Sequence, residues 1–335
     1  MKRQLTMIGI AMSALLTFSP IQAQEIKERT IRFGHLQPLS HPQSAAIRHF
    51  AEVVAQKSNG KMRVREFPSS QLGNELQQQA ALQSGTQEMM AGATTTLVGM
   101  VPEFGVLDFP FVISTYAQAD GLLDGKLGQA LFETLPNRGL IGLTYLENGF
   151  RNVTNSRGPI EKQENLAGLK IRVMQNPIYI EAFKTLGAVP VPLAFGELFT
   201  AMETRAVDAQ ENPFGIIISN KFYEVQKYLS ITNHSYNTNV ALVSKRFWDR
   251  LSDIEKQIIQ EAAVEARDLQ RKLGREQAQQ AIEQLRNQGM TISTLSETEL
   301  DRMRGATRSI VDSHAGKYDP AITQLFFEEL DRLRQ

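Results

Sequence analysis

From Arg29 onward polar and apolar positions alternate, with Ile31 and Phe33 on one face, which predicts a strand. The period changes at Ser40, which opens a predicted helix with Ala46, Ile47, Phe50, Val53 and Val54 along one stripe. Asn59 and Gly60 stop it. A second strand is predicted over 62–67, and the turn at 72–74 leads into a helix over 75–84. Such β-α-β-α alternation predicts a parallel sheet covered by helices on both faces, with ligands bound beyond the carboxyl ends of the strands.

Residues 140–146 read as a buried strand, and 148–160 are rich in Gly, Asn, Ser and Pro, which predicts a loop and a new unit starting near Glu147. Over 166–177 the strand-into-helix logic repeats: Leu169, Ile171 and Val173 fall on one face, Lys170, Arg172 and Met174 on the other. A third unit runs from Val189 through a helix over 196–205 to Val207, Asp208 and Ala209. Ser252-Asp253-Ile254-Glu255 is a capping box, and the helical composition behind it continues to Gly274 and resumes to about Asn287. At 1.5 Å per residue that helix spans roughly 30 Å or more, enough to brace two lobes.

Length supports two lobes, because cores beyond about 250–300 residues split and this chain has 335. Lys2 and Arg3, the short apolar run 7–18 and the pair Ile21 and Ala23 read as an export signal over 1–23, removed to leave Gln24 first. No later stretch approaches the ~20 apolar residues of a spanning helix. Without Lys2 and Arg3 the chain holds 34 basic and 36 acidic residues, a net charge of −2, which argues against nucleic acid or an anionic membrane as partner. The absence of cysteine excludes disulfides and thiolate metal sites.

Signatures of catalysis are poor. His35, His41, His49, His234 and His314 show no metal spacing, and there is no GxSxG, Walker or dinucleotide motif, so no enzyme activity, metal or cofactor is expected. What remains is a set of arginines and amides at predicted strand ends. Arg172 precedes Met174-Gln175-Asn176-Pro177, where a helix begins, and a guanidinium fork beside a helix N-terminus suits a carboxylate. An ordinary surface ion pair is the competing reading. Arg151 invites the same two readings, and Asn212, before Pro213, is either a site amide or a turn former.

Seven segments, in order, resemble the solute-binding proteins of tripartite ATP-independent periplasmic (TRAP) transporters of the dicarboxylate and sugar-acid type. They are Ile31-Arg32-Phe33-Gly34, Pro68-Ser69-Ser70-Gln71-Leu72-Gly73, Asn148-Gly149-Phe150-Arg151 with Thr154-Asn155-Ser156, Leu166-Ala167-Gly168-Leu169-Lys170-Ile171-Arg172, Gly187-Ala188, Val207-Asp208-Ala209-Gln210-Glu211-Asn212-Pro213, and Lys221-Phe222-Tyr223-Glu224-Val225-Gln226-Lys227-Tyr228-Leu229. Ala209, where Gly is usual, and Gly196, where Ser is frequent, depart from the pattern.

The resemblance implies an α/β, two-lobed periplasmic binding protein with a long helix spanning both lobes and a cleft that closes on its ligand. The expected division is 24–149 with 238–277 in one lobe and 150–237 with 278–335 in the other. It also implies that Arg172 grips the ligand carboxylate, Arg151 assists, Asn212 supplies an amide and Phe195 packs on the ligand, with Gln175, Glu75, Thr94, Thr95 and Tyr236 as further pocket residues. The implied protein is a periplasmic monomer that passes a small organic carboxylate to membrane subunits. Glu75, Gln175, Asn212 and the threonines 94–96 suit hydroxyls, and Glu75 would repel a second carboxylate, so a sugar acid such as a uronate, aldonate or keto acid is expected. C4-dicarboxylates and aromatic acids are the alternatives, and a sugar-acid lyase with Tyr236 or a histidine as base is the alternative of another class.

Overall fold

The computed structural model describes residues 25–335; the expected export signal, 1–23, and Gln24 lie outside the described residues. The chain runs β1 (Arg29–His35), α1 (Pro42–Lys57), β2 (Met62–Phe67), α2 (Glu75–Ser84), β3 (Met89–Ala93), α3 (Tyr116–Leu123), α4 (Lys126–Thr134) and β4 (Leu140–Asn155). Then follow β5 (Lys170–Val173), α5 (Pro177–Thr185), β6 (Val189–Pro192), α6 (Leu198–Glu203), β7 (Ala209–Pro213), α7 (Phe214–Ser219) and β8 (Tyr228–Ser244). The chain ends with α8 (Lys245–Trp248), α9 (Asp253–Asn287), β9 (Thr291–Thr294), α10 (Glu297–Ala315) and α11 (Pro320–Arg334).

Strand order is β2-β1-β3-β8-β4-β7-β5-β6, with β9 added to β8. Two parallel groups, β1 with β2 and β3, and β5 with β6 and β7, form the two lobes. The long strands β4 and β8 run antiparallel through both: β8 pairs β3 over 239–243, and β4 pairs β7 over 151–155. The sheet is therefore mixed, not parallel throughout. The loop expected over 148–160 is strand as far as Asn155. Asn148-Gly149 has turn chemistry, but here Gly149, at φ +113°, absorbs a bulge in the pairing with β8 between Glu147 and Gly149.

Helix α9 braces the two lobes. Ser252 caps it by accepting from Glu255 N–H, and the Glu255 carboxylate receives both Ser252 N–H and the Arg29 guanidinium of β1, at 2.8 Å. Those donors outweigh burial and hold Glu255 at a pKa of about 2. The helix passes through Gly274 without a break for 35 residues, about 50 Å. Its first half packs Ile258, Ile259, Ala262 and Ala266 against Ile47, Phe50 and Val54 of α1. Its far end packs Leu285 against Ile216 and Ile217 of α7. Midway, Gln270 closes the backbone of β4 beside the bulge: its Nε2 donates to Glu147 O and its Oε1 accepts from Glu147 N–H, both at 2.7 Å.

The last two helices part company. Met303 of α10 packs with Phe183 of α5 in the second lobe. Ile322, Phe326 and Leu330 of α11 instead join Leu122 of α3 and Leu127 and Leu131 of α4 in the first lobe's core. Residues 278–335, expected together in the second lobe, are thus shared: α10 packs on α5 through Met303 but also places Ile310 and Val311 in the core that α11 joins.

Candidate functional site

Between the lobes lies a cleft. The first lobe contributes Leu36, Gln37, Gln43, Glu75 and the end of β3. From the second come Arg151, Arg172, Met174, Phe195, Asn212 and Ile216, while Asn148 and Asn239 reach in from the two long strands.

Arg172 sits at the carboxyl end of β5, between β6 and β7, just before Asn176 caps α5. It is 2% exposed. Its Nε and Nη2 both donate to Leu193 O, at 3.1 and 2.8 Å, and the guanidinium lies 6.0 Å from the Phe195 ring centroid. Its Nη1 is buried without a partner. Burial lowers its pKa to about 10 against the pull of Glu211 and Glu75, with Arg151 adding to the decrease. The group is charged at neutral pH and desolvated, the condition in which a carboxylate gains most from it.

Arg151 has a different environment. Fully buried within β4, it donates Nε to the Glu211 carboxylate and Nη2 to Glu211 Oε1 at 2.9 Å and to Asn212 Oδ1 at 3.2 Å. Burial opposes its charge, but Glu211 prevails and its pKa is raised. Glu211 also faces His234 Nε2 at 3.1 Å, whose Nδ1 lies 2.8 Å from Thr232 Oγ1. Arg151 therefore reaches the cleft wall with its charge already answered.

The remaining expected residues separate. Asn212 lines the cleft, its Nδ2 on Gln210 Oε1. Phe195 lines it as half-buried platform for Arg172, at the start of a 3-10 turn. Glu75, first residue of α2, accepts from Ala93 N–H at 2.7 Å; burial raises its pKa against Ala93 N–H, Arg172 and Arg151. Gln175 is exposed and borders an adjoining recess with Thr96 and Leu76. Thr94 and Thr95 do not line the cleft: Thr94 Oγ1 donates to Thr238 O, and Thr95 Oγ1 donates to Asp108 at 2.6 Å. Tyr236 is buried against Tyr116 and Phe150, away from the cleft, and burial holds its hydroxyl pKa well above 10. Gln43, Asn239 and Ile216 are cleft residues with no signal in the sequence, whereas Met174 shares the predicted strand face of Arg172 and Asn148 stands inside the quoted Asn-Gly-Phe-Arg segment.

A larger cavity, about 230 Å³, lies beside the bulge between β4 and α9. Its arginine, Arg275, is bound by both Asp120 and Glu147, so it offers no free cation to an acid.

Residues 33–317 match the model of the DctP family, described as bacterial extracellular solute-binding protein, family 7. The chain is similar to the sugar acid binding protein DctPAm of Advenella mimigardefordensis, solved with galactonate: identity is 42%, the TM-score 0.90, and the match covers 92% of this chain and 99% of that one. A TRAP periplasmic solute binding protein of Polaromonas sp. JS666, bound to D-erythronate, is 35% identical at a TM-score of 0.86, covering 89% and 98%. The 2,3-diketo-L-gulonate-binding periplasmic protein YiaO of Escherichia coli K12 is 36% identical over 302 residues, 90% of each chain. With the family model spanning most of its length and the two-lobed fold shared, this chain belongs to the DctP family of TRAP transporter solute-binding proteins, receptors for small organic acids and not enzymes.

Proposed function

We propose that the protein captures a sugar acid, a uronate, aldonate or keto-sugar acid, in the periplasm and delivers it to the membrane subunits of a TRAP transporter. One observation carries the ligand reading: Arg172 is a buried guanidinium in the cleft whose Nη1 has no partner among the described residues. A ligand carboxylate supplies that partner, with Phe195 as platform and Asn212 alongside. A second carboxylate meets no second free cation, since Arg151 is held by Glu211 and Glu75 adds negative charge. Hydroxyls fit better, as donors to Glu75 and partners for Asn148 and Asn212. The galactonate and D-erythronate bound to two of the relatives are of this class. Periplasmic delivery rests on the family and on the expected export signal; among the described residues no helix is long and apolar enough to cross a membrane.

A thermal-shift screen of the purified protein against uronates, aldonates, keto-sugar acids, C4-dicarboxylates and aromatic acids tests the reading. A ligand at 100 times its Kd stabilises by ~2.7 kcal/mol. Shifts confined to the sugar acids are the expected result. A shift with C4-dicarboxylates alone would overturn the ligand class, and no shift with any carboxylate would overturn the role of Arg172.

A further inference from the structure

Among the polar atoms of the described residues that are buried without a partner, two belong to side chains lining the cleft: Arg172 Nη1 and Asn148 Oδ1. One is a donor and the other an acceptor. A dicarboxylate offers acceptors at both ends, whereas a hydroxy acid offers a carboxylate to the donor and a hydroxyl proton to the acceptor.

The orientation of the Asn148 amide is set from behind. Its Nδ2 donates to Asn237 Oδ1 at 2.6 Å. That same oxygen accepts from Arg151 Nη1 at 3.4 Å, a group that only donates, while Asn237 Nδ2 donates to Thr95 Oγ1 at 2.7 Å. The Thr95 hydroxyl in turn donates to Asp108 at 2.6 Å. Turning Asn148 over would set its oxygen against Asn237 Oδ1, and turning Asn237 as well would break its bonds to Arg151 and Thr95. Asn148 therefore presents an acceptor to the ligand and cannot readily exchange it for a donor.

We propose that Asn148 Oδ1 accepts a hydroxyl of the bound acid, so that Asn148, positioned by Asn237, selects hydroxy acids over dicarboxylates. The inference rests on the sugar-acid reading and deepens it. It also gives Thr95 a part in the site, from behind the wall and not within it. Asn148 borders the larger cavity beside the bulge too, where water is the competing partner for its oxygen.

Isothermal titration of the wild type, Asn148→Leu and Asn237→Leu with D-galactonate, its monodeoxy analogues and succinate separates these partners. The wild type should lose about 5- to 150-fold in affinity at one deoxy position, the effect of leaving one buried polar group unsatisfied. Asn148→Leu should lose a similar factor with galactonate and no longer distinguish that position, a coupling between ligand and side chain. Asn237→Leu should narrow the preference for galactonate over succinate. An Asn148→Leu variant that weakens all acids equally, or none while its melting temperature changes, places water on the oxygen and overturns the inference with sugar-acid capture intact. A flat deoxy series in the wild type overturns it even where a variant does not fold. Preference of the wild type for succinate overturns both.

Discussion

Replacing Arg172 by Met should abolish capture without weakening the empty protein, because the arginine is a liability until an acid arrives. In the unliganded state its guanidinium is buried, satisfied on two nitrogens by Leu193 O and left without a partner on the third. Its pKa falls from the ordinary arginine range to about 10. At ~1.4 kcal/mol per unit this corresponds to about 3 kcal/mol against the charged form in the fold. The folded pKa lies below the unfolded one, so the penalty is present at every pH below about 10 and fades as pH rises from there toward the unfolded value. Met fills similar volume and removes the penalty, at a cost of about 1 kcal/mol for the bonds lost to Leu193 O. The melting temperature of the empty variant should be unchanged or higher. A buried ligand carboxylate left without its partner costs about 3–5 kcal/mol, two to three and a half decades in Kd. Arg172→Lys keeps the charge but loses the fork and the contact with Phe195, so it should fall between. Thermal unfolding of the empty protein and calorimetric titration with a bound acid measure the two halves separately. A loss in Kd below threefold, or a melting temperature several degrees lower in the empty Arg172→Met protein, refutes the reasoning.

Glu211→Gln leaves Arg151 charged and buried without its carboxylate, and denaturant titration should show about 3–5 kcal/mol less stability; a change under 1 kcal/mol would mean the pair is not what holds this wall. His41, buried at the start of α1, is held neutral by burial and by His35, with a pKa of about 3. Its unfolded form takes up a proton near 6.5, so its contribution is complete above that pH and is lost as pH falls toward 3, about 3 kcal/mol by pH 4.5. His41→Asn keeps an N-cap acceptor for Gln43 N–H and should lose less stability than the wild type between pH 6.5 and 4.5; parallel stability curves over that window count against this. Phe326→Ala in α11 opens a cavity against Phe109 and the α3–α4 face and should cost about 3–5 kcal/mol in urea unfolding, whereas a near-neutral result would mean α11 is not docked there.

Local patterns made much of the first lobe legible. The second strand and the helix after it fall at 62–67 and 75–84 as read, because each combines its own periodicity with explicit stop signals. The capping box at Ser252 located the start of α9 for the same reason, although Gly274 proved no interruption: the helix passes through it unbroken to Asn287. The second half of β4 and the length of β8 were the failure, whereas 140–146 reads correctly as the start of β4. Asn148-Gly149 carries turn chemistry, and β8 buries Thr232, His234, Asn237 and Asn239 where a strand of apolar alternation would bury Val or Ile. Both depart from the expected pattern where they pass the cleft, and two of the residues that hide them as strands, Asn148 and Asn239, line its wall.

The two arginines show the deeper limit. Arg151 and Arg172 have equal standing in the sequence, each at a strand beside Gly, Asn or Pro. They differ because Glu211, 60 residues from Arg151, lies on the neighbouring strand β7, with Val153 of β4 opposite it and its carboxylate against Arg151. Thr94 and Thr95 show the same limit: expected in the pocket, they stand just after β3, where Thr238 and Asp108 take their hydroxyls away from the cleft. Binding capacity here is what remains after internal pairing, and pairing is set by strand register across the sheet. Changing the register partner should therefore change the site without touching any cleft residue's identity: withdrawing Glu211 returns Arg151 to the cleft as a second free cation, one of the features whose absence disfavours a dicarboxylate. Where Glu211→Gln still folds, its ligand preference should move toward succinate relative to galactonate, and a ratio unchanged by that substitution would separate selectivity from charge pairing altogether.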